Sequence, residues 1–467
     1  MTGHPIAAHP GPTLTAAHCQ AAPPALSFTT TPIREQGLSL PALLAGRDDV
    51  VSWLHQGRGL IGMGHALTIE ARGPERIEEL RSAWRATIGA AWWRDPLVRP
   101  GTGPVAMGTI TFSPASRERS ALIVPSVLIG HDTHGAWLTT VVPAGQPHPS
   151  PEAIMAALHP QQPGPQPRAD SPGPQPGSLS EQDWCRAVLT VQERMRAGQA
   201  DKVVLARDVV LPGPHPATGD LLARLAHSYP TCWTFAVDGM VGASPEMLLN
   251  LEGRRLFSRV LAGTARRNQG TPTQDLAHWL AGSAKNTREH ALARASALEA
   301  LEPLCSVVEG GEPFVLELPN VLHLATDITG VVAGDTGALS LLGALHPTAA
   351  VGGTPTAAAT AIIEQVEGMD RGRYAGPVGW VDWHGEGQWC IALRSAQLPQ
   401  GGSTASGETG IRVFGGCGIM PDSDPVDELA ETQAKMRPIL EALAAPTHSA
   451  HAAHATPSAH ATHPAPR

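Results

Sequence analysis

The sequence predicts a mixed α/β (α+β) protein, with layered mixed and antiparallel sheets and helices flanking them. Three observations lead there. Strand-like runs come in hairpin groups with Gly turns, and these groups alternate with runs of helical periodicity. Hydrophobic residues make up 42% of the 467 positions, enough to bury sizeable cores. Charged residues make up 16%, which excludes coiled-coil and fully disordered classes when taken with that apolar content. At about 150 residues per domain the length fits two to three domains, or one large α/β unit.

The elements follow in order. Residues 1–30 are rich in Ala, Pro and Thr and read as a disordered arm. Residues 31–142 mix a strand-like run at 121–125 with a helical one at 75–93. Residues 143–178 are dense in Pro, Gly and Gln and read as a linker or long loop. Ser180 is a candidate N-cap, and Trp184, Val188, Val191 and Met195 recur at helical spacing before Gly198. Residues 202–211 read as a buried strand stopped by Pro212-Gly213-Pro214. A helix is expected at 220–227, antiparallel strands at 231–238, 247–251 and 255–261, and one long helix at 273–304. Residues 314–330 are extended and 356–366 helical; strands follow at 376–381, 388–397 and 411–414. A final helix covers 427–443, with Pro438 inside it. Residues 446–467 are Ala, His, Pro and Thr and read as a solvated, disordered tail. The stretch at 143–178 thus divides a front segment from a back segment.

Charge and cysteine content narrow the classes. A net charge of −9 argues against nonspecific nucleic-acid binding. The longest stretch without Asp, Glu, Lys or Arg, 336–363, is too polar and too broken by Pro and Gly to cross a membrane. The six Cys are scattered without a CxxC pair, which fits a reduced compartment. The first basic residue is Arg34, so a charged leader is not expected and a cytoplasmic location is. Lys occurs only at Lys202, Lys285 and Lys435, while Arg supplies the other basic positions. The three Lys are therefore pointers to places where an ammonium group is chemically required.

Several residues carry possible chemistry. Glu428, Glu431 and Lys435 share one helix face at i, i+3 and i+7. A solvated Glu–Lys pair explains that spacing, and so does a carboxylate pair for a hard divalent cation beside an ammonium for an anion. Lys285 and Glu289 are i,i+4, open to the same two readings, with Glu289 as a third carboxylate for the cation. Lys202 lies on an apolar strand; it either reaches solvent at the strand end or is buried, where desolvation favours the neutral amine, a competent base. Glu246 follows Gly242-Ala243-Ser244-Pro245 in a turn; apolar surroundings there would raise its pKa and make it an acid. Gly415-Gly416-Cys417-Gly418 lets backbone amides approach an anion. No GxxxxGK[ST] loop or strand-linked GxGxxG supports nucleotide binding.

Together the motifs KVVLAR, ASPEMLL, LAGTARR, LPNVLHLATDITG, LHPTAAVGGTP, DRGRYAGPVGW, CIALRSAQL and GCGIMPDSDPVDELAETQAK, with the Lys285–His290 segment, run in one order over about 179–445. In that order they resemble the chorismate-utilising enzymes, a family that includes isochorismate, salicylate, anthranilate and aminodeoxychorismate synthases. The resemblance implies a single large chorismate-binding fold that takes in the front segment as well. It implies that Glu289 and Glu431, with Glu428 beside them, hold Mg²⁺, which in turn holds the ring carboxylate of chorismate. It implies that Tyr374, Arg394, Lys435 and the amides of Gly416 and Gly418 bind the enolpyruvyl carboxylate. Gly263, Thr264 and His323 would line the pocket.

The resemblance is nearest to isochorismate synthase. Ammonia-using members usually carry Gln at the position of Lys202, whereas water needs a base. Lys202 would deprotonate water for attack at C2, and Glu246 would protonate the leaving C4 hydroxyl. No glutamine amidotransferase partner is then expected. Salicylate synthases typically carry Thr at the position of Ala350, so Ala350-Val351 favours stopping at isochorismate. Isochorismate feeds menaquinone and also catechol siderophores; the general resemblance leans to menaquinone and leaves the siderophore route open. Asn286 stands where many relatives carry Asp, which weakens an outer metal shell, and Gly352 replaces a frequent Cys or Ser. A salicylate-forming lyase and a non-catalytic chorismate binder are the competing readings; intact Lys202, Glu246, Glu289 and Glu431 speak against the binder.

Overall fold

A computed structural model describes residues 11–16, 23–34, 38–158, 173–267, 271–399 and 410–444. Two large sheets organise them, one of 11 strands and one of 13, both mainly antiparallel. Front and back segments are interleaved. Val105–Thr109 pairs with Pro377–Asp382 in one sheet, and Val50–His55 pairs with Trp233–Val237 in the other. The expectation of one unit spanning both segments therefore holds, and so does the α/β class.

The largest core cluster holds side chains of both sheets, among them Trp53, Leu205 and Phe235 of one and Met107, Leu249 and Trp389 of the other. Trp53 Nε1 donates to Gln388 Oε1 across the sheets at 2.9 Å. Helices Arg76–Ala90, Ala284–Leu301 and Ala338–Leu345 pack on the 11-stranded sheet; Leu40–Leu43, Thr218–Ser228 and Pro425–Ala444 pack on the 13-stranded one. Both sheets are thus covered twice, which explains strands such as Val105–Thr109 and Ser120–Val124 that are buried at every position.

Some expectations are corrected. The presumed arm at 1–30 contributes the strand Thr13–Thr15 and the start of Leu26–Ile33, where Leu26 and Phe28 alternate into the core. The presumed linker contains the helix Pro151–Ala157, capped by Ser150, and Gln175–Pro176, which pairs with Val209 and Val210. Residues 159–172 of that linker and the tail at 446–467 lie outside the described residues. The long helix is two, Thr273–Gly282 and Ala284–Leu301, because Ser283 is extended and caps the second. Helix Ala338–Leu345 and strand Met240–Ser244 were not anticipated.

The site is set by places where the chain passes from one sheet to the other. Met240–Ser244 lies in the 13-stranded sheet and Met247–Glu252 in the 11-stranded one. The expected strand 388–397 divides in the same way, into Gly387–Ile391 and Ser395–Gln397. Glu246 and Arg394 sit at these two crossings. The crossings are bonded to each other, Ile391 N to Glu246 O at 3.1 Å and Ala243 N to Arg394 O at 3.1 Å.

Candidate active site

One buried pocket gathers Glu246, Gly263, Thr264, Glu289, His323, Ala350, Tyr374, Arg394, Gly416, Gly418 and Lys435. Eleven of the fourteen residues named from sequence thus line a single space. Lys202 lies just behind it, fully buried. Glu428 and Glu431 line an adjoining outer cavity that shares Thr264, Glu289 and Gly418 with the pocket.

The floor is strand Gly410–Ile419 beside Lys202–Pro212. The sequence expectation ended this strand at 414, but it runs on through the glycines. Val204 N donates to Gly352 O, and Ala206 N to Glu367, so both residues turn their backbone groups away from the glycine strand. Their partners Gly418 and Gly416 are then non-hydrogen-bonded pairs whose amides face the opposite, pocket-side edge. Lys435 Nζ already donates to Gly416 O on that edge at 2.9 Å. Gly418 also gives room: a Cβ there would lie 2.2 Å from Glu289 Oε1 and 3.1 Å from Lys202 Cε.

A bulge shapes the wall. The pairing of Arg255–Arg266 with Val321–Val332 shifts register between Ala262 and Thr264, with Gly263 at φ +81°. Thr264 is thereby set opposite His323, and its Oγ1 lies 3.1 Å from His323 Nδ1. The other imidazole nitrogen, Nε2, lies 2.7 Å from Arg394. Burial and the Arg394 charge hold His323 well below its ordinary pKa, so it is neutral and accepts from Arg394. Asn286 Oδ1 accepts from Thr264 N at 3.3 Å, which gives Asn286 a wall-bracing contact. Arg394 at φ +47° and Ala375 at φ +60° both line the pocket in left-handed backbone, strain of the kind that collects at functional sites.

The two presumed proton carriers lie in different surroundings. Burial pushes Glu246 up to about 7, against the opposing pull of Arg394 and Lys202. Lys202 Nζ lies 3.1 Å from Glu289 Oε1, but out of hydrogen-bonding direction, so it has no hydrogen-bond partner among the described residues. Of the two readings of Lys202, solvent-reaching or buried, the structure shows the buried one, with the Glu289 carboxylate beside it. Burial works against the charge of Lys435, yet Glu431 at 2.7 Å raises its pKa overall.

The three Lys are divided among the three presumed metal carboxylates. Lys202 faces Glu289, Lys285 bonds Glu428 at 2.6 Å, and Lys435 pairs with Glu431. Lys285 therefore reaches across to the final helix instead of pairing with Glu289 along its own. Burial, and then the nearby Glu431 charge, raise the Glu428 pKa. Among the described residues no three His, Cys, Asp or Glu side chains are gathered around one metal-sized point. The donor set nonetheless suits a hard cation: seven carboxylates line the outer cavity against two basic side chains, Arg266 and Lys285.

Sequence reasoning assigned no role to Arg371, Ala375 or Leu393, which also line the pocket. Arg371 and Ala375 stood inside the quoted DRGRYAG motif and Leu393 inside CIALRSAQL, which were the available signals.

Comparison with known proteins shows the family and the fold. A family model described as chorismate binding enzyme matches residues 51–444. The chain is 30% identical over 413 residues to the isochorismate synthase MenF of Bacillus subtilis (strain 168), covering 82% of this chain and 85% of that protein. Among solved structures, DhbC from Bacillus anthracis is similar at 26% identity and a TM-score of 0.69, covering 87% of this chain and 99% of that one. MenF from Escherichia coli shares the fold at 23% identity and a TM-score of 0.72, covering 90% of this chain and 95% of that one.

Proposed function

The chain belongs to the family of chorismate-binding enzymes, and from that premise we propose that it is an isochorismate synthase, isomerising chorismate by exchange of water for hydroxyl across the ring diene. One observation carries the reading. A buried carboxyl that burial pushes up to about 7 and a buried amine that has no hydrogen-bond partner among the described residues flank a single pocket that also holds Arg394 and Lys435. Such a pair is what acid–base exchange of two oxygens requires, and an anion-binding end is what chorismate requires.

In this reading Arg394, Tyr374, Lys435 and the edge amides of Gly416 and Gly418 receive the enolpyruvyl carboxylate. Lys202 takes a proton from water at Nζ as the water oxygen attacks C2. Glu246 gives its proton to the departing C4 hydroxyl. Glu289 and Glu431, with Glu428 beside them, would hold Mg²⁺. When bound, the metal supplies positive charge that holds and offsets the ring carboxylate. Ala350 and Val351 bring only apolar surface to the pocket, which supports release of isochorismate instead of further reaction. Menaquinone synthesis is the proposed destination, on the family resemblance. Water as nucleophile leaves no task for a glutamine amidotransferase partner.

The test is Lys202→Gln. Turnover should fall by at least roughly 100-fold while chorismate still binds, measured by isothermal titration calorimetry. A variant of full activity contradicts the assignment of the base.

A further inference from the structure

The strand that carries Lys202 has an incomplete second edge. From Val203 to Pro212 the strand Lys202–Pro212 pairs with the glycine strand on one side. On the other side, among the described residues, strands reach it only at Lys202 and Val203, through Thr354 and Gly353, and at Val209 and Val210. The gap between is closed by one backbone bond, Val204 N to Gly352 O, and by side chains. Glu367 Oε1 accepts from Ala206 N at 2.7 Å, and Arg371 donates to Val204 O at 2.8 Å. Arg371 also donates to Val351 O at 2.9 Å. Its own position is fixed by Glu367, to which Nε donates at 2.8 Å, and by the Phe112 ring, 4.2 Å from the guanidinium carbon. Both residues are almost fully buried.

One guanidinium therefore ties the base-bearing strand to the loop that presents Ala350 and Val351 to the ring. That loop has no ladder of its own from His346 to Gly352. Two of its ties to the strand are Val204 N to Gly352 O and the Arg371 bridge. We propose that Arg371, held by Glu367, is a positioning residue that fixes the offset between Val351 and Lys202, and so sets whether isochorismate leaves intact or goes on to lose pyruvate. That loss balances without a co-reactant: the C3–O bond breaks, the C2 hydrogen passes to the enolpyruvyl methylene, and salicylate and pyruvate result. A loop free to move alters how the ring is held over that bond, and a misplacement of about 1 Å costs on the order of 100-fold in rate.

This inference rests on the isochorismate synthase reading, so the wild-type product is the control: a wild type that makes no isochorismate defeats that reading, not this one. The experiment compares Arg371→Gln, Arg371→Lys and Glu367→Gln with wild type for kcat, KM and pyruvate released per isochorismate formed. Arg371→Lys keeps a cation in the cavity and is read if Arg371→Gln does not fold. The expected result is a fall in kcat larger than any rise in KM, with a raised pyruvate-to-isochorismate ratio in the Arg371 variants. Folded variants whose ratio equals that of wild type, with activity lost only in proportion to thermal stability, would overturn the positioning role.

Discussion

At the scale of single residues, the site works by giving similar groups different surroundings. Glu246 is sealed between two sheets and its carboxyl is pushed up to about 7 by burial. Glu428, also raised by burial, has Lys285 and Ser423 to bond it and remains a partner for cations. The shift at Glu246 has a consequence of fixed sign. Its acid form is present below about 7 and is lost as pH rises through that value, so kcat/KM should show an alkaline limb starting near there. Glu246→Gln should lose most activity and that limb together, as read from pH–rate profiles. A wild-type profile flat from pH 6 to 9 contradicts the acid assignment. Lys202 and Glu246 were legible in the sequence because a polar residue in an apolar strand or turn stands out. Arg371 was not, because an Arg in a chain rich in Arg carries no such contrast, and its carbonyl partners are set only by the fold.

At the scale of elements, the two crossings and the glycine strand do the positioning. Glu246 and Arg394 are separated by nearly 150 positions in the chain yet sit at crossings joined by backbone bonds. On strand Gly410–Ile419, Gly418 leaves no room for a side chain. Gly418→Ala would set a methyl 2.2 Å from Glu289 Oε1, forcing that carboxylate away. Mg²⁺ affinity, read by calorimetry, should fall about tenfold or more, with a much smaller change in Tm. An unchanged affinity removes Glu289 from the metal site. Element type was mostly readable from periodicity, as in Glu181–Arg196 with its Ser180 cap. Division of elements was not: Ser283 breaks one helical run and Ala392–Arg394 one strand, and both breaks follow from which sheet or helix each half packs on.

At the scale of the whole molecule, the Pro- and Gly-rich stretch at 143–178 read as a divider, yet the chain on either side of it enters the same two sheets. Pairing partners far apart in sequence leave no local trace, which is why the single unit was reached through family resemblance and not through pattern. One shared core predicts one cooperative unfolding event. Scanning calorimetry should give a single endotherm; two separable endotherms would contradict the interleaved core. The central claim concerns the reaction itself. Purified protein is mixed with chorismate and Mg²⁺ in oxygen-18-labelled water, and the products are separated with mass detection. The account predicts a chorismate isomer of altered retention carrying one labelled oxygen, with no stoichiometric pyruvate. An unlabelled isomer, or salicylate with an equal amount of pyruvate as the main product, would contradict it.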